Sequence, residues 1–282
     1  MINKEQAMLY QRALREIVAP SLKVDGALGQ ASTIALQELA KTHGITPPSD
    51  FSGEVMKILD GYVESRYVTD KAFYDAAALL GVKESHIRAV AEVESQGSGF
   101  LPDGRVKILF ERHWFYKKIL TAMQSNKEVA KQVAMVLSFN SEDPVELRRA
   151  LNTREVNICD ATRGGYVGNS GEYTRMNKAA TFDLETALQC TSYGAYQIMG
   201  FNCQAAGYNT ANAMFIAFSE SEAKQFLGFV NFIKADANLL KHLRSGNWAG
   251  FAAGYNGPSY AENKYDIKMA AAEKKYQSYN KT

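Results

Sequence analysis

The sequence predicts a mainly α-helical protein, in which a small three-helix domain precedes a larger helical domain with one short β element. Apolar residues recur at helical spacing through most of the 282 residues. Prolines separate three short amphipathic segments within the first 66 residues, and a charged run ends the third. Only the segment Arg105 to Glu111 alternates in the way a strand does. With 46% hydrophobic and 22% charged residues, the chain has the composition of a globular protein.

Three amphipathic segments predict the N-terminal domain. The first covers residues 4–17 and the second covers residues 32–43. The third places four apolar side chains on one helical face: Val55, Ile58, Leu59 and Tyr62. Because a charged run ends this third segment at Arg66, we expect one domain over residues 1–66 and another over residues 69–282.

Capping residues and apolar spacing predict further helices in the larger domain. We expect helices from Thr69 to Gly81, from about Ser85, from Asp143-Pro144, over residues 220–243 and within residues 264–281. The segment 157–176 is rich in Gly, Asn, Ser and Thr, which predicts a long surface loop of the kind that borders binding clefts.

Charge and cysteine content argue against several classes of function. A net charge of +2 and a pI near 8.3 give no strong field for nucleic acid, so we expect no nucleic-acid partner. Cys159, Cys190 and Cys203 form no CxxC pair and are expected to be free thiols, with no metal site. The N-terminus lacks the apolar core of a signal peptide, and no run approaches ~18 apolar residues, so we expect no integral membrane association.

Two glutamates that are two residues apart have opposite predicted environments. Glu94 falls within the apolar helical stripe of Ile87, Val90 and Ala91, whereas Glu92 projects to the polar side. Desolvation and the negative helix end should both raise the pKa of Glu94 and keep it protonated. A protonated Glu in a cleft suits glycosidic cleavage, whose leaving oxygen needs a proton. On this segment alone, a glutamate paired with a buried Arg or Lys explains the pattern at least as well.

Two further carboxylates are candidates for a second catalytic group. Glu111 ends the predicted strand, on the face opposite its apolar residues, and could act in catalysis or pair with Arg105, Arg112 or His113. Asp103 lies in a Pro-Asp-Gly turn, where Asp is also ordinary turn chemistry. The sequence leaves both alternatives open, and with them the choice between inverting and retaining cleavage.

Four ordered motifs carry a resemblance to a known family. They read VESQGSGF, ILFERHWF, CTSYGAYQIMGFN and AGYNGPSY. Over roughly residues 69–280 the chain resembles the N-acetylmuramidase domain of phage endolysins, which is similar to goose-type lysozymes and soluble lytic transglycosylases. The resemblance implies a lysozyme-like fold with a catalytic Glu-Ser pair at a helix end, which corresponds to Glu94-Ser95. It also implies that Gln197 and the pair Tyr255-Asn256 line the cleft.

The residue types at these positions suit a sugar-binding cleft. Aromatic faces pack on sugar rings, and amides or hydroxyls bond paired ring substituents. The expected substrate-binding residues are Ser192, Tyr193, Gln197, Tyr255 and Asn256. Core packing is the alternative for Tyr193, Tyr196 and Phe201, whereas an amide inside an apolar run, such as Gln197 or Asn256, requires a partner.

The N-terminal segment resembles the small three-helix peptidoglycan-binding domain. The matching residues are Gln11, the turn from Asp25-Gly26 to Gly29, and Thr33. Tyr10 departs from the usual Leu-Gln pair, and residues 17–20 replace a glycine-containing turn. A three-helix appendage with only a structural role is the alternative.

Together these resemblances imply a modular endolysin that cuts the β-1,4 bond after N-acetylmuramic acid in bacterial peptidoglycan. No cofactor is expected, and we expect a monomer that waits in the host cytoplasm and acts on the wall in the periplasm. A lytic transglycosylase using the same acid is one alternative. A non-catalytic wall-binding phage structural protein is another.

Overall fold

The computed structural model of the chain describes residues 2–95 and 97–279. Met1, Gln96 and residues 280–282 belong to the predicted domains but lie outside the described residues. The chain divides into two compact units, Met1–Asp75 and Ala76–Thr282. Within the described ranges no helix is both long and apolar enough to cross a membrane.

The first unit is built from three amphipathic helices and the start of a fourth. These are α1 (Lys4–Ile17), α2 (Gln30–Thr42), α3 (Val55–Arg66) and α4 (Asp70–Leu80). Their apolar faces meet in one core: Ala13, Leu14, Leu36, Leu39, Leu59 and Val63. The predicted period was therefore correct for α1 to α3, because each helix buries the face that its spacing indicates. Tyr10 joins this core, and its hydroxyl donates to Asp60 at 2.6 Å.

Gln11 holds the Asp-Gly turn of the first unit. Its buried side-chain oxygen accepts from the backbone N–H groups of Asp25 and Gly26, at 2.9 and 2.8 Å. Its amide nitrogen donates to the Ala27 carbonyl at 2.9 Å. Gly26 has φ +78, and a side chain there would collide with Lys4, so only glycine suits this position.

The second unit is mostly helical. Its elements after α4 are α5 (Glu84–Glu94), β1 (Ile108–Phe110), α6 (Arg112–Ser125), α7 (Lys127–Leu137), α8 (Pro144–Arg154), α9 (Gly171–Ala180), α10 (Leu184–Gln189), β2 (Thr191–Tyr193), β3 (Ile198–Met199), α11 (Ala211–Glu220), α12 (Glu222–Ala235), α13 (Ala237–Ser245), α14 (Trp248–Asn256) and α15 (Tyr265–Tyr279). Short 3-10 turns cover Gly200–Asn202 and Pro258–Ala261. The predicted mainly helical class is confirmed.

A small antiparallel sheet in the order β1-β2-β3 lies among these helices. Ile108 is opposite Tyr193, and Ser192 is opposite Met199. The predicted strand was correct for residues 108–110, and its alternation reflects the burial of Ile108 and Phe110. Strands β2 and β3 are too short for their period to be read from the sequence.

Two sequence predictions for the second unit were wrong in extent. Residues 220–243 form two main helices and not one, because the side chain of Asp236 accepts from the backbone of Asn238 and Leu239 and so caps a new helix. The predicted loop 157–176 ends early, because α9 begins at Gly171.

The last helix packs against α5. His86 is buried, its Nε2 lies 3.1 Å from Glu273, and the other oxygen of Glu273 accepts from Trp248 at 3.1 Å. Met269 and Ala272 of α15 are also buried. The predicted final helix is therefore a packed element of the second unit.

Candidate active site

Glu94 is the last residue of α5 and lies where the apolar face of that helix meets the rest of the unit. Ile87, Val90 and Ala91 on the same face are buried, and Glu94 is only 6% exposed. Its Oε1 accepts a hydrogen bond from Asn256 Nδ2 at 2.8 Å. Burial raises the pKa of Glu94 to about 7, although the bond from Asn256 acts in the opposite direction. Near neutral pH this carboxyl therefore holds a proton in a large fraction of molecules.

Glu92 has the contrasting environment that helical spacing predicts. It is exposed, and its carboxylate accepts from Lys275 at 2.7 Å and from Tyr276 at 2.6 Å. Desolvation raises its pKa, but these two bonds outweigh desolvation and the pKa is lowered. The pKa of Glu94 is therefore raised, whereas the pKa of Glu92 is lowered. The bonds from Lys275 and Tyr276 to Glu92 also hold α15 against α5.

The pair Tyr255-Asn256 ends α14 and connects Glu94 to the β2-β3 hairpin. While Asn256 bonds Glu94, the Tyr255 hydroxyl donates to the Tyr196 carbonyl at 3.2 Å. The Tyr255 ring lies parallel to Phe251, with a centroid separation of 5.8 Å. Both side chains are half-buried. Asn256 is held by Glu94, and Tyr255 is held by the Tyr196 carbonyl and the Phe251 ring.

Gln197 closes the turn between β2 and β3 and has φ +49, a left-handed backbone conformation that is unusual for glutamine. Its amide nitrogen donates to the Gly194 carbonyl at 2.8 Å. Its oxygen accepts from the Ser192 hydroxyl at 2.9 Å. These bonds fix the orientation of the Gln197 amide. They use one of its two N–H groups, and the other takes no part in them.

The structure therefore connects most of the predicted site residues. Glu94 bonds Asn256, Tyr255 bonds the residue before Gln197, and Ser192 bonds Gln197. Ser192 and Gln197 are neighbours in one hairpin, but Tyr255 and Tyr196 are 59 positions apart and Glu94 and Asn256 are 162 positions apart.

Tyr193 is placed differently from the other predicted substrate-binding residues. It is 0% exposed, its hydroxyl donates to the Leu188 carbonyl at 2.7 Å, and its ring packs 5.5 Å from Phe215. It leaves no surface for a sugar and serves the core. Tyr196 is also buried and stacks on Phe229 at 4.2 Å.

Glu111 is buried at the start of α6 and is bound to the loop before α9. One oxygen accepts from the Tyr166 hydroxyl at 2.7 Å, and the other lies 3.4 Å from Arg163. His113 Nδ1 is 3.2 Å from the same carboxylate but lacks hydrogen-bond geometry. Arg163 and Tyr166 were not found by sequence reasoning, since a partner more than fifty residues away leaves no local signal.

Asp103 lies on an exposed turn, far less enclosed than Glu94 or Glu111. Its carboxylate accepts from Arg105 at 2.6 Å, and this bond lowers the pKa of Asp103. Asp103 is therefore ionised and already paired.

Metal-ligating groups and thiols are the other side chains that could carry chemistry. In the described part of the chain, no three His, Cys, Asp or Glu residues are grouped to hold a metal ion. Cys159, Cys190 and Cys203 are free and buried. Burial raises the pKa of Cys159 to about 12, so that thiol is inert at neutral pH.

Two comparisons with known proteins find similarity to this chain. The profile of the N-acetylmuramidase family matches residues 83–277. The crystal structure of the endolysin of Burkholderia AP3 phage is similar with a TM-score of 0.65 and 35% sequence identity, covering 99% of this chain and 96% of that chain. A search of curated proteins finds no match.

Proposed function

This chain belongs to the N-acetylmuramidase family, and we propose that it is an endolysin that hydrolyses the β-1,4 bond between N-acetylmuramic acid and N-acetylglucosamine in bacterial peptidoglycan. Glu94 is the general acid. The observation that carries this assignment is a buried carboxyl, bonded by Asn256, whose pKa is raised to about 7.

The proposed reaction begins with a protonated Glu94. As the bond from the muramic acid C1 to the glycosidic oxygen breaks, Glu94 gives its proton to that oxygen, which leaves as the hydroxyl of N-acetylglucosamine. Water then adds to C1, and its oxygen becomes the new hydroxyl of the muramic acid. The proton that this water loses replaces the one that Glu94 gave up, so Glu94 is protonated again. Burial favours this sequence because it keeps the acid neutral until the leaving oxygen develops charge.

Two amides are the proposed contacts to the sugar, Asn256, which bonds Glu94, and Gln197 in the β2-β3 turn. The Asn256 amide is fixed by its bond to Glu94, and the Gln197 amide is fixed by the Ser192 hydroxyl. The bond from the Tyr255 hydroxyl to the Tyr196 carbonyl joins the two segments that carry these amides. Amides at fixed spacing suit the hydroxyl and acetamido groups of the substrate. Tyr193 is omitted because it is buried, and for Glu111 we propose that it anchors the loop carrying Arg163 and Tyr166.

The two parts of the chain have separate proposed roles. Residues 1–66 bind the cell wall, and residues 69–282 cleave it. Supporting the first assignment, the Gln11 amide rigidly holds the Asp25-Gly26 turn that the wall-binding domains share. We further propose a monomer that binds no nucleic acid and that accumulates in the host cytoplasm before it reaches the wall.

The test uses purified sacculi and mass spectrometry of the released muropeptides. Hydrolysis clears the turbid suspension and yields products that have gained one water, whereas a lytic transglycosylase yields products that lack it. Glu94→Gln should bind sacculi without clearing them. If the unaltered protein binds but leaves turbidity unchanged, it is a wall-binding protein and the proposal fails.

A further inference from the structure

Gln225 is a fully buried amide that lies in the first turn of α12 and is 0% exposed. Its oxygen accepts from the backbone N–H of Ala195 at 2.8 Å. Its nitrogen donates to the Phe218 carbonyl at 2.9 Å and lies 3.5 Å from the Gly99 carbonyl. One side chain thus contacts three separate segments of the backbone.

Two glycines make room for this amide. A Cβ added to Gly99 would lie 1.9 Å from Gln225 Oε1, and one added to Gly194 would lie 2.6 Å from it. Backbone bonds through Lys107 join the same two glycines: the Lys107 N–H donates to Gly99 and the Lys107 carbonyl accepts from Gly194, each at 2.8 Å. The amide therefore fills a space that any larger residue at either position would close.

The segments that meet at Gln225 are those that carry the proposed acid and the proposed sugar-binding amide. Gly99 follows Glu94 by five positions, and Ala195 precedes Gln197 by two. The carbonyl of Gly194 also accepts the amide of Gln197 at 2.8 Å. We infer that Gln225 is a positioning residue that sets the spacing between Glu94 and Gln197, an inference that rests on the proposed function.

Loss of the amide should act on the site as well as on stability. Without it, the Ala195 N–H and the Phe218 carbonyl lose a buried partner. The turn that carries Gln197 then keeps its backbone bonds through Lys107 to Gly99 but loses the side chain that packs between the two segments. A displacement of roughly 1 Å at a reacting site can reduce the rate by about 100-fold. A residue that served stability alone would leave the turnover of folded molecules unchanged.

The first test is Gln225→Met, which keeps the length of the side chain and removes its hydrogen bonds. On soluble glycan strands, at a temperature where the variant is folded, kcat should fall by about 10-fold to 100-fold while KM changes little. The matched control is Ile233→Ala, on the same helix and equally buried, which should lower the melting temperature but not kcat.

The second test is Gln225→Glu, which still tests the inference if Gln225→Met does not fold. A protonated Glu supplies one donor and one acceptor at the amide positions, whereas an ionised Glu turns a charged oxygen toward the Phe218 carbonyl. The kcat of this variant relative to the unaltered protein should therefore recover as the pH is lowered.

The outcomes separate this inference from the proposed function. If the unaltered protein does not clear sacculi, the proposed function fails. If it clears them and folded Gln225→Met or Gln225→Glu retains full kcat at every pH, only the positioning role is overturned. Equal loss of kcat in Ile233→Ala would overturn it as well.

Discussion

Glu94→Gln tests the environment of the proposed acid through stability as well as activity. The substitution keeps the size of the side chain, and its amide oxygen can still accept the bond from Asn256. It removes a group whose charge must be buried when it ionises. The expected effect on stability therefore depends on pH and has a sign that the structure specifies.

The magnitude follows from the raised pKa. For Glu94 the pKa increases from 4.5 to about 7 on folding, which corresponds to about 3 kcal/mol at about 1.4 kcal/mol per pH unit. Below about pH 4 the carboxyl is protonated in both states and the variant gains nothing. As the pH rises from the unfolded to the folded pKa, the unaltered protein loses this stability, and by about pH 8 the variant should be more stable by up to about 3 kcal/mol.

Urea unfolding followed by tryptophan fluorescence measures this difference. Both tryptophans, Trp114 and Trp248, belong to the second unit, so the signal reports the unit that carries Glu94. Glu92→Gln is the matched control on the same helix. Because the bonds from Lys275 and Tyr276 lower the pKa of Glu92, that variant should lose stability above the acid range, the opposite sign.

Activity provides the second readout for the same pair of variants. Glu94→Gln cannot deliver a proton and should lose about 100-fold or more in turnover, because general acid catalysis contributes ~10²–10⁴. Glu92→Gln should retain turnover when it is folded. A Glu94→Gln protein that clears sacculi at the normal rate, or that is less stable than the unaltered protein at about pH 8, would refute the buried-acid assignment.

Three further variants test the proposed site and the division of the chain. Asn256→Ala removes the bond that lowers the pKa of Glu94, so the alkaline limb of the activity profile should move to higher pH; an unchanged profile would contradict this. Gln197→Ala should lower kcat/KM by about 10-fold to 100-fold, the effect of one or two hydrogen bonds. A fall in melting temperature that accounts for the lost activity would instead identify Gln197 as a core residue. A chain of residues 69–282, which keeps α4 whole, should cleave soluble glycan strands normally but sediment less with sacculi, and unchanged sedimentation would contradict the wall-binding role of residues 1–66.

Several local features of this protein could be predicted without the structure. Helix α1 has the predicted bounds, and Glu94 lies on the apolar side of α5 while Glu92 faces solvent. These predictions succeed because helical periodicity is a local property: neighbours three and four positions apart share a face whatever the rest of the chain does. The cap at Asp143 was equally readable, since its partners Val145 and Glu146 follow directly.

Where periodicity was weak, the sequence was misleading or silent. Residues 220–243 look continuous in apolar spacing, but the break at Asp236 depends on whether its side chain caps the next helix. Strand β3 has only two residues and carries no readable alternation. Tyr193 has the residue type of a sugar-binding face, yet its burial depends on Leu188 and Phe215 in other elements.

The sequence by itself determined the helical class, the apolar face on which Glu94 lies and the motifs of its family. Only the tertiary structure decided which distant groups surround that carboxyl. It brought Asn256 to Glu94 and gathered Gly99, Gly194 and Ala195 around Gln225. The reason is physical: local spacing sets which face of an element is apolar, but the raised pKa of a buried acid and the partners of a buried amide arise when separate faces pack and exclude water.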